Sequence, residues 1–267
     1  MSVELQAERP EQGVSAVFWL LIAAFAISAS AVAAGDLNRL AVFAFVFIGW
    51  IISLCLHEWG HAFVAHLGGD HSVVARGYLT LNPLRYANPV MSIGLPLLFL
   101  AMGGIGFPGG AVYIQTDRLR NWFWRAAMSA AGPAMNLLCL VAIGLTLRAM
   151  GTYGDLAPDP LTSALALLGF LQATALILNL LPIPGLDGFG ILNAVLPIEA
   201  RGAIARFSGP ILIAFLVVMV MSPQLLAPLW NAALALCEVF WINVKPIAYG
   251  LQYFRFWEAP ADPFSGV

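Results

Sequence analysis

The segment His57-Glu58-Trp59-Gly60-His61 sets two imidazoles four positions apart, with a carboxylate next to the first. On an α-helix, positions i and i+4 share a face, so both rings can meet one metal ion. Glu58 then lies where it can take a proton from water held by that metal. Zinc lowers the pKa of its water to about 7, which gives a hydroxide-like nucleophile at neutral pH. The segment belongs to a long apolar run, where each polar side chain is costly unless satisfied. That cost argues against a purely structural cluster of His and Glu. Catalytic zinc takes three protein ligands and keeps one position open. His66, five positions past His61, points to another face near the helix end, and His71 falls in the polar loop beyond. Asp187 is the better third ligand. It follows an apolar run broken by Pro182 and Pro184, which free the backbone and let the carboxylate turn inward.

The elements that position these residues must be membrane helices. The 267-residue chain is 61% hydrophobic and 10% charged, with a mean hydropathy of +0.86. A soluble domain carries about 25% charged residues. The net charge of −2 offers no basic footprint for nucleic acid. Cys55, Cys139 and Cys237 lie in apolar stretches without a CxxC, so no disulfide framework is expected. Apolar runs cover about residues 15–34, 40–67, 89–112, 122–147, 161–181, 204–221 and 225–241, with a short apolar piece at 189–196. The acidic lead of Glu4, Glu8 and Glu11 against Arg9 argues for a retained first helix rather than a signal peptide.

The third run carries Pro89, Pro96, Pro108 and the tract Gly103-Gly104-Ile105-Gly106, which suits a re-entrant element better than a straight span. Arg76 and Arg85 precede it, and Arg118, Arg120 and Arg125 follow it. Both groups vote for the same, cytoplasmic side, as do Arg201, Arg206, Lys245 and Arg255. Val73–Leu81 is rich in β-formers and is expected to be extended, an edge that could pair with an unwound substrate. The expected fold is an all-α polytopic membrane protein with about six transmembrane helices, a re-entrant element and a short β segment. It forms one domain over residues 1–267, with a catalytic core at about 40–196, both termini cytoplasmic and the site toward that side. Run five then ends at the depth of His57, which brings Asp187 to the same level.

The chain resembles the site-2 protease family of intramembrane zinc metalloproteases. The resemblance rests on His57-Glu58-x-x-His61, on Ala131-Gly132-Pro133-x-x-Asn136, and on Asn179-x-x-Pro182-x-Pro184-x-x-Asp187-Gly188. Tyr78-Leu79-Thr80-Leu81-Asn82-Pro83 looks like the compact prokaryotic branch, without a PDZ or CBS domain. The resemblance implies one Zn2+ per chain held by His57, His61 and Asp187, with Glu58 as general base. It also implies cleavage of transmembrane-protein substrates within a lipid bilayer. Asn136 and Asn179 are polar residues in apolar helices. They can serve as oxyanion donors, as groups that orient ligands, or as ordinary interhelical hydrogen bonds. Gly132-Pro133 suits close packing. Two other classes fit part of the pattern. A metal or proton transporter needs polar stations reaching both faces, whereas here the ionisable residues gather at one level and Glu238 alone lies in a late helix. A non-catalytic scaffold that binds transmembrane helices is expected to lose Glu58 or a ligand, and all four residues are present.

Overall fold

Long apolar helices begin wherever a short polar side chain can cap them. In the computed structural model, which describes residues 13–34, 37–86, 112–151 and 159–259, four helices are long and apolar enough to cross a membrane. Helix α1 spans Ala16–Ala33 and is capped by Ser15, whose side chain accepts from the Phe18 amide. Helix α2 spans Arg39–Gly68, with Asn38 accepting from the Ala41 amide. It stops at Gly69, where φ is 121° and the amide returns to the carbonyls of Ala65 and His66. Only glycine adopts that backbone without strain. A four-residue helix, α3 (Ser72–Ala75), follows. Helix α4 spans Trp122–Ala149 under an Asn121 cap and carries Pro133 in its interior. Helix α5 spans Pro160–Leu180, with Asp159 accepting from the amides of Leu161 and Thr162.

Five shorter helices complete the described chain: α6 (Asp187–Asn193), α7 (Ile198–Ala205), α8 (Ser208–Met221), α9 (Ala227–Val239) and α10 (Val244–Phe254). Helix α5 is the centre. Its apolar residues run all round, and 83% of its spanning window is buried, as expected of a helix wrapped by others. Leu167 and Leu171 of α5 pack with Phe45, Val46 and Trp50 of α2, Leu140 of α4, and Ile247 and Phe254 of α10. Helix α1 buries only 17% of its window; its exposed Trp19, Leu20 and Ile27 suit lipid contact. Arg39 ties the start of α2 to the far end of the chain by donating to the carbonyls of Gln252 (2.7 Å), Arg255 and Glu258 (2.6 Å).

Two expectations need correction. The first is the count of six spans. Four helices qualify, or five if the bent pair Ser208–Met219 and Gln224–Val239 counts as one span. Helices α8 and α9 have 14 and 13 residues and meet at a bend of 104°. A straight crossing needs about 20 residues, so each is too short to span alone. Apolar composition does not give length, and the Ser222-Pro223 turn ends α8 after 14 residues. The expected re-entrant run lies in 87–111, outside the described residues. Its flanks, Tyr86 and Val112, both belong to the cluster packed at the C-terminal end of α2.

The second correction is the β segment. Among the described residues there is no strand. Val73 and Val74 belong to α3, and Tyr78–Thr80 forms a 3-10 turn between Gly77 (φ 71°) and Leu81 (φ 58°). Strand propensity depends on a partner and a pleated surface, and local capping wins here. Asp70, buried after α2, accepts from the Ser72 amide (3.0 Å), the Ser72 hydroxyl (2.6 Å) and the Gln115 amide (2.8 Å). Burial alone would raise its pKa. The bonds from Ser72 and Gln115, with the charge of Arg118, outweigh that and hold it below the ordinary carboxylate range. A depressed folded pKa stabilises above the unfolded value of about 3.9, and the benefit fades as pH falls through the folded one. Asp70→Ala is therefore expected to cost about 2 kcal/mol at pH 7. Its melting point in detergent should converge on that of wild type below about pH 4; a constant gap across pH would refute the assignment.

Candidate metal centre

His57 and His61 lie on one face of α2, one turn apart, and both are buried. Each ring is oriented through Nδ1. His57 Nδ1 donates to Asn136 Oδ1 on α4 at 2.6 Å, and His61 Nδ1 donates to the Met128 carbonyl on α4 at 2.7 Å. Asn136 is itself held, since its Nδ2 donates to Gln172 Oε1 on α5 (2.9 Å). Gln172 Nε2 then donates to Ser53 Oγ on α2 (2.9 Å), and Ser53 Oγ donates to the Trp50 carbonyl (2.8 Å). These bonds direct both Nε2 atoms toward one point, and the two atoms are 3.0 Å apart.

Asp187 closes the group. Helix α5 ends at Leu180, and the chain turns through Gly185 (φ 103°) so that Asp187 starts α6. Its Oδ2 lies 3.2 Å from His57 Nε2 and its Oδ1 lies 3.3 Å from His61 Nε2. A neutral ring that donates from Nδ1 carries its lone pair on Nε2, so both Nε2 atoms can serve as ligands. Lone pairs and a carboxylate at this spacing repel unless a cation lies between them, and Asp187 Oδ2 is buried without a hydrogen-bond partner. Ligand atoms on a tetrahedral zinc are separated by about 3.3 Å. The three side chains therefore fit a zinc ion, and their ligand atoms all lie within 4.8 Å of one another.

Glu58 is also buried, and its Oε2 accepts the Val112 amide at 2.9 Å. Gly132 of α4 faces the centre directly. A Cβ there would lie 2.3 Å from His61 Nε2 and 2.5 Å from His57 Nε2. Of the sequence-predicted residues, the structure thus brings together His57, Glu58, His61 and Asp187, with Asn136 on His57. Asn179 is buried in the last turn of α5 but hydrogen-bonds none of these. His66 and His71 stand apart, with their Nδ1 atoms 3.2 Å from each other. Sequence reasoning missed Gln172, Ser53, the Met128 carbonyl and the Val112 amide. A lone glutamine inside the apolar run of α5 was a readable signal. A main-chain donor or acceptor leaves none.

Two histidines and a carboxylate around one point, a glutamate beside them and a helical membrane body define a membrane-embedded zinc metalloprotease. The comparisons with known proteins agree. The chain is 44% identical over 265 residues to a protein of Mycolicibacterium smegmatis named as the zinc metalloprotease Rip2, covering 95% of this chain and 96% of that one. It is 44% identical over 220 residues to Rip2 of Mycobacterium tuberculosis, covering 81% and 82%. It is 29% identical over 204 residues to YwhC of Bacillus subtilis, also named as a zinc metalloprotease, covering 72% and 89%. No family model and no solved structure matches the chain. The chain belongs to the site-2 protease family of zinc metalloproteases.

The geometry yields a test of the supporting residues. Asn136→Ala frees the His57 ring and is expected to weaken zinc binding about 10–100-fold. Gly132→Ala places a methyl group on the Nε2 atoms and should abolish binding while leaving the helical circular dichroism unchanged. Zinc titration of the two purified variants reads both effects, and wild-type affinity in either would contradict the geometry.

Proposed function

We propose that His57, His61 and Asp187 hold one zinc ion and that Glu58 is the general base in hydrolysis of a peptide bond of a transmembrane-protein substrate. The observation that carries this reading is the convergence of two Nε2 atoms and a carboxylate at 3.0–3.3 Å in a buried site. Zinc, when bound, supplies the Lewis acidity that makes water a nucleophile near neutral pH. The Val112 amide holds Glu58 Oε2, which leaves Oε1 to accept the proton of the attacking water. An oxygen–carbon bond forms, the carbon–nitrogen bond breaks, and Glu58 passes the proton to the departing amine. Asn136 and the Met128 carbonyl fix the two rings and act as positioning groups. Asn179, buried at the same end of α5 as Asp187, is the remaining candidate donor to the oxygen of the scissile carbonyl.

The site opens toward the cytoplasmic side of a prokaryotic cell membrane in this reading. Arg76 and Arg85 follow α2, and Arg118, Arg120 and Arg125 surround the start of α4. That is the end of the bundle that holds the metal site, and cytoplasmic loops gather such charges.

Metal content and cleavage of a transmembrane test peptide in liposomes separate the roles. Glu58→Gln should keep about one zinc per chain and lose about 10²–10⁴-fold in cleavage rate. Asp187→Ala should lose both. Cleavage that survives Glu58→Gln, or a wild type without metal, would overturn the proposal.

A further inference from the structure

Beside the metal centre, and separate from it, lies a cavity of about 430 Å³ between α4, α6, α7 and the turn at Thr116. Five polar side chains, Thr116, Arg125, Ser129, Asn193 and Arg201, share its wall with Met128, Ala194 and two glycines. Two of these side chains carry orphaned groups. Arg125 Nε and Asn193 Oδ1 are both buried without a hydrogen-bond partner. Among the described residues, no carboxylate pairs with Arg125. Arg201 is held in place, its Nε donating to the Leu196 carbonyl (2.8 Å) and its Nη2 to the Ala194 carbonyl (2.9 Å). Those bonds leave Nη1 and one Nη2 hydrogen uncommitted.

Two guanidinium groups around one cavity fit a tetrahedral oxyanion better than any neutral ligand. An orphaned acceptor beside them asks for a hydroxyl donor on the same ligand. The depth of the cavity says where such a ligand comes from. Arg125 and Ser129 occupy the first two turns of α4, directly after Trp122 and Phe123, which are both more than half exposed. Exposed aromatic residues at the end of a spanning helix mark the headgroup level of a bilayer. Anionic headgroups are concentrated at the cytoplasmic surface, and basic pockets between helices take them up.

We propose that this cavity is a binding site for the phosphate of an anionic phospholipid, with a headgroup hydroxyl donating to Asn193 Oδ1. Phosphatidylglycerol has both features. The site also touches the elements that carry the metal ligands. Ser129 adjoins Met128, whose carbonyl orients His61, and a Cβ at Gly190 would lie 2.5 Å from Ser129 Oγ, one turn after Asp187. A bound lipid therefore braces α4 against α6, the contact that keeps Asp187 opposite the histidines.

The test uses the full chain in phosphatidylcholine nanodiscs containing a minor fraction of phosphatidylglycerol, with the retained lipid quantified by native mass spectrometry. Wild type should retain phosphatidylglycerol over phosphatidylcholine. Arg125→Gln should reduce retention at least fivefold, and Asn193→Asp, which keeps the shape and adds a negative charge, should do the same. Arg120→Gln, which removes an exposed charge at the same membrane end but outside the cavity, should retain lipid as wild type does. Melting curves identify any variant that has lost its fold. Equal retention in all four proteins would overturn the proposal, as would equal losses at Arg120 and Arg125. Saturation by inorganic phosphate without retention of phosphatidylglycerol would also overturn it and give the site to a soluble anion. Lipid retention is read without any cleavage, so failure here leaves the protease assignment untouched.

Discussion

The closeness of the α2–α4 crossing is the constraint on which the rest of the molecule depends. Glycines make it possible from both sides. A Cβ at Gly60 would lie 2.9 Å from the Ala131 carbonyl oxygen, and one at Gly132 would run into both Nε2 atoms. With neither side chain present, the helix backbones approach closely enough for a short asparagine and a main-chain carbonyl on α4 to reach the two rings on α2. Small residues at a helix contact are the usual route to tight packing in membranes, where no hydrophobic force pushes helices together. Here the same small residues also leave room for a metal.

A membrane interior raises the stakes of every polar group. The path from His57 through Asn136 and Gln172 to Ser53 crosses three helices and ends on the Trp50 carbonyl. Each member is buried and each is satisfied by the next. Half-satisfied, such a network is worse than an apolar core. Complete, it fixes the rotation of α5 relative to α2 and α4, because leucines alone would tolerate several. The final turn of α5 then leads to Asp187 at the correct depth and angle. The apolar packing of α5 supplies most of the cohesion, and the polar path selects which packed arrangement is populated.

Much of this was readable from the chain. The His57–His61 spacing, the neighbouring Glu58, the broken segment before Asp187 and the polar Asn136 all announced themselves as costly residues in apolar surroundings. The long helices were equally legible, because the apolar runs at about 15–34, 40–67, 122–147 and 161–181 are of spanning length. The two errors have separate causes. Apolar composition says that a segment avoids water, not how far it travels before it turns, so α8 and α9 each look like a full span by composition alone. The valines after Asp70 were read for intrinsic preference, whereas the buried carboxylate next to them dictated a turn. Two of the partners missed at the site, the Met128 carbonyl and the Val112 amide, are backbone atoms, which every residue has and no sequence displays.

The contact between Glu58 and the Val112 amide belongs to that silent class, and it changes how the protein can drift. The orientation of the carboxylate is set by a peptide group 54 positions away, whatever side chain happens to be attached there. Position 112 is thus free to vary among nineteen amino acids as far as this bond is concerned, and only the imino acid removes it. A residue can fix the direction of a buried carboxylate while its identity carries almost no information.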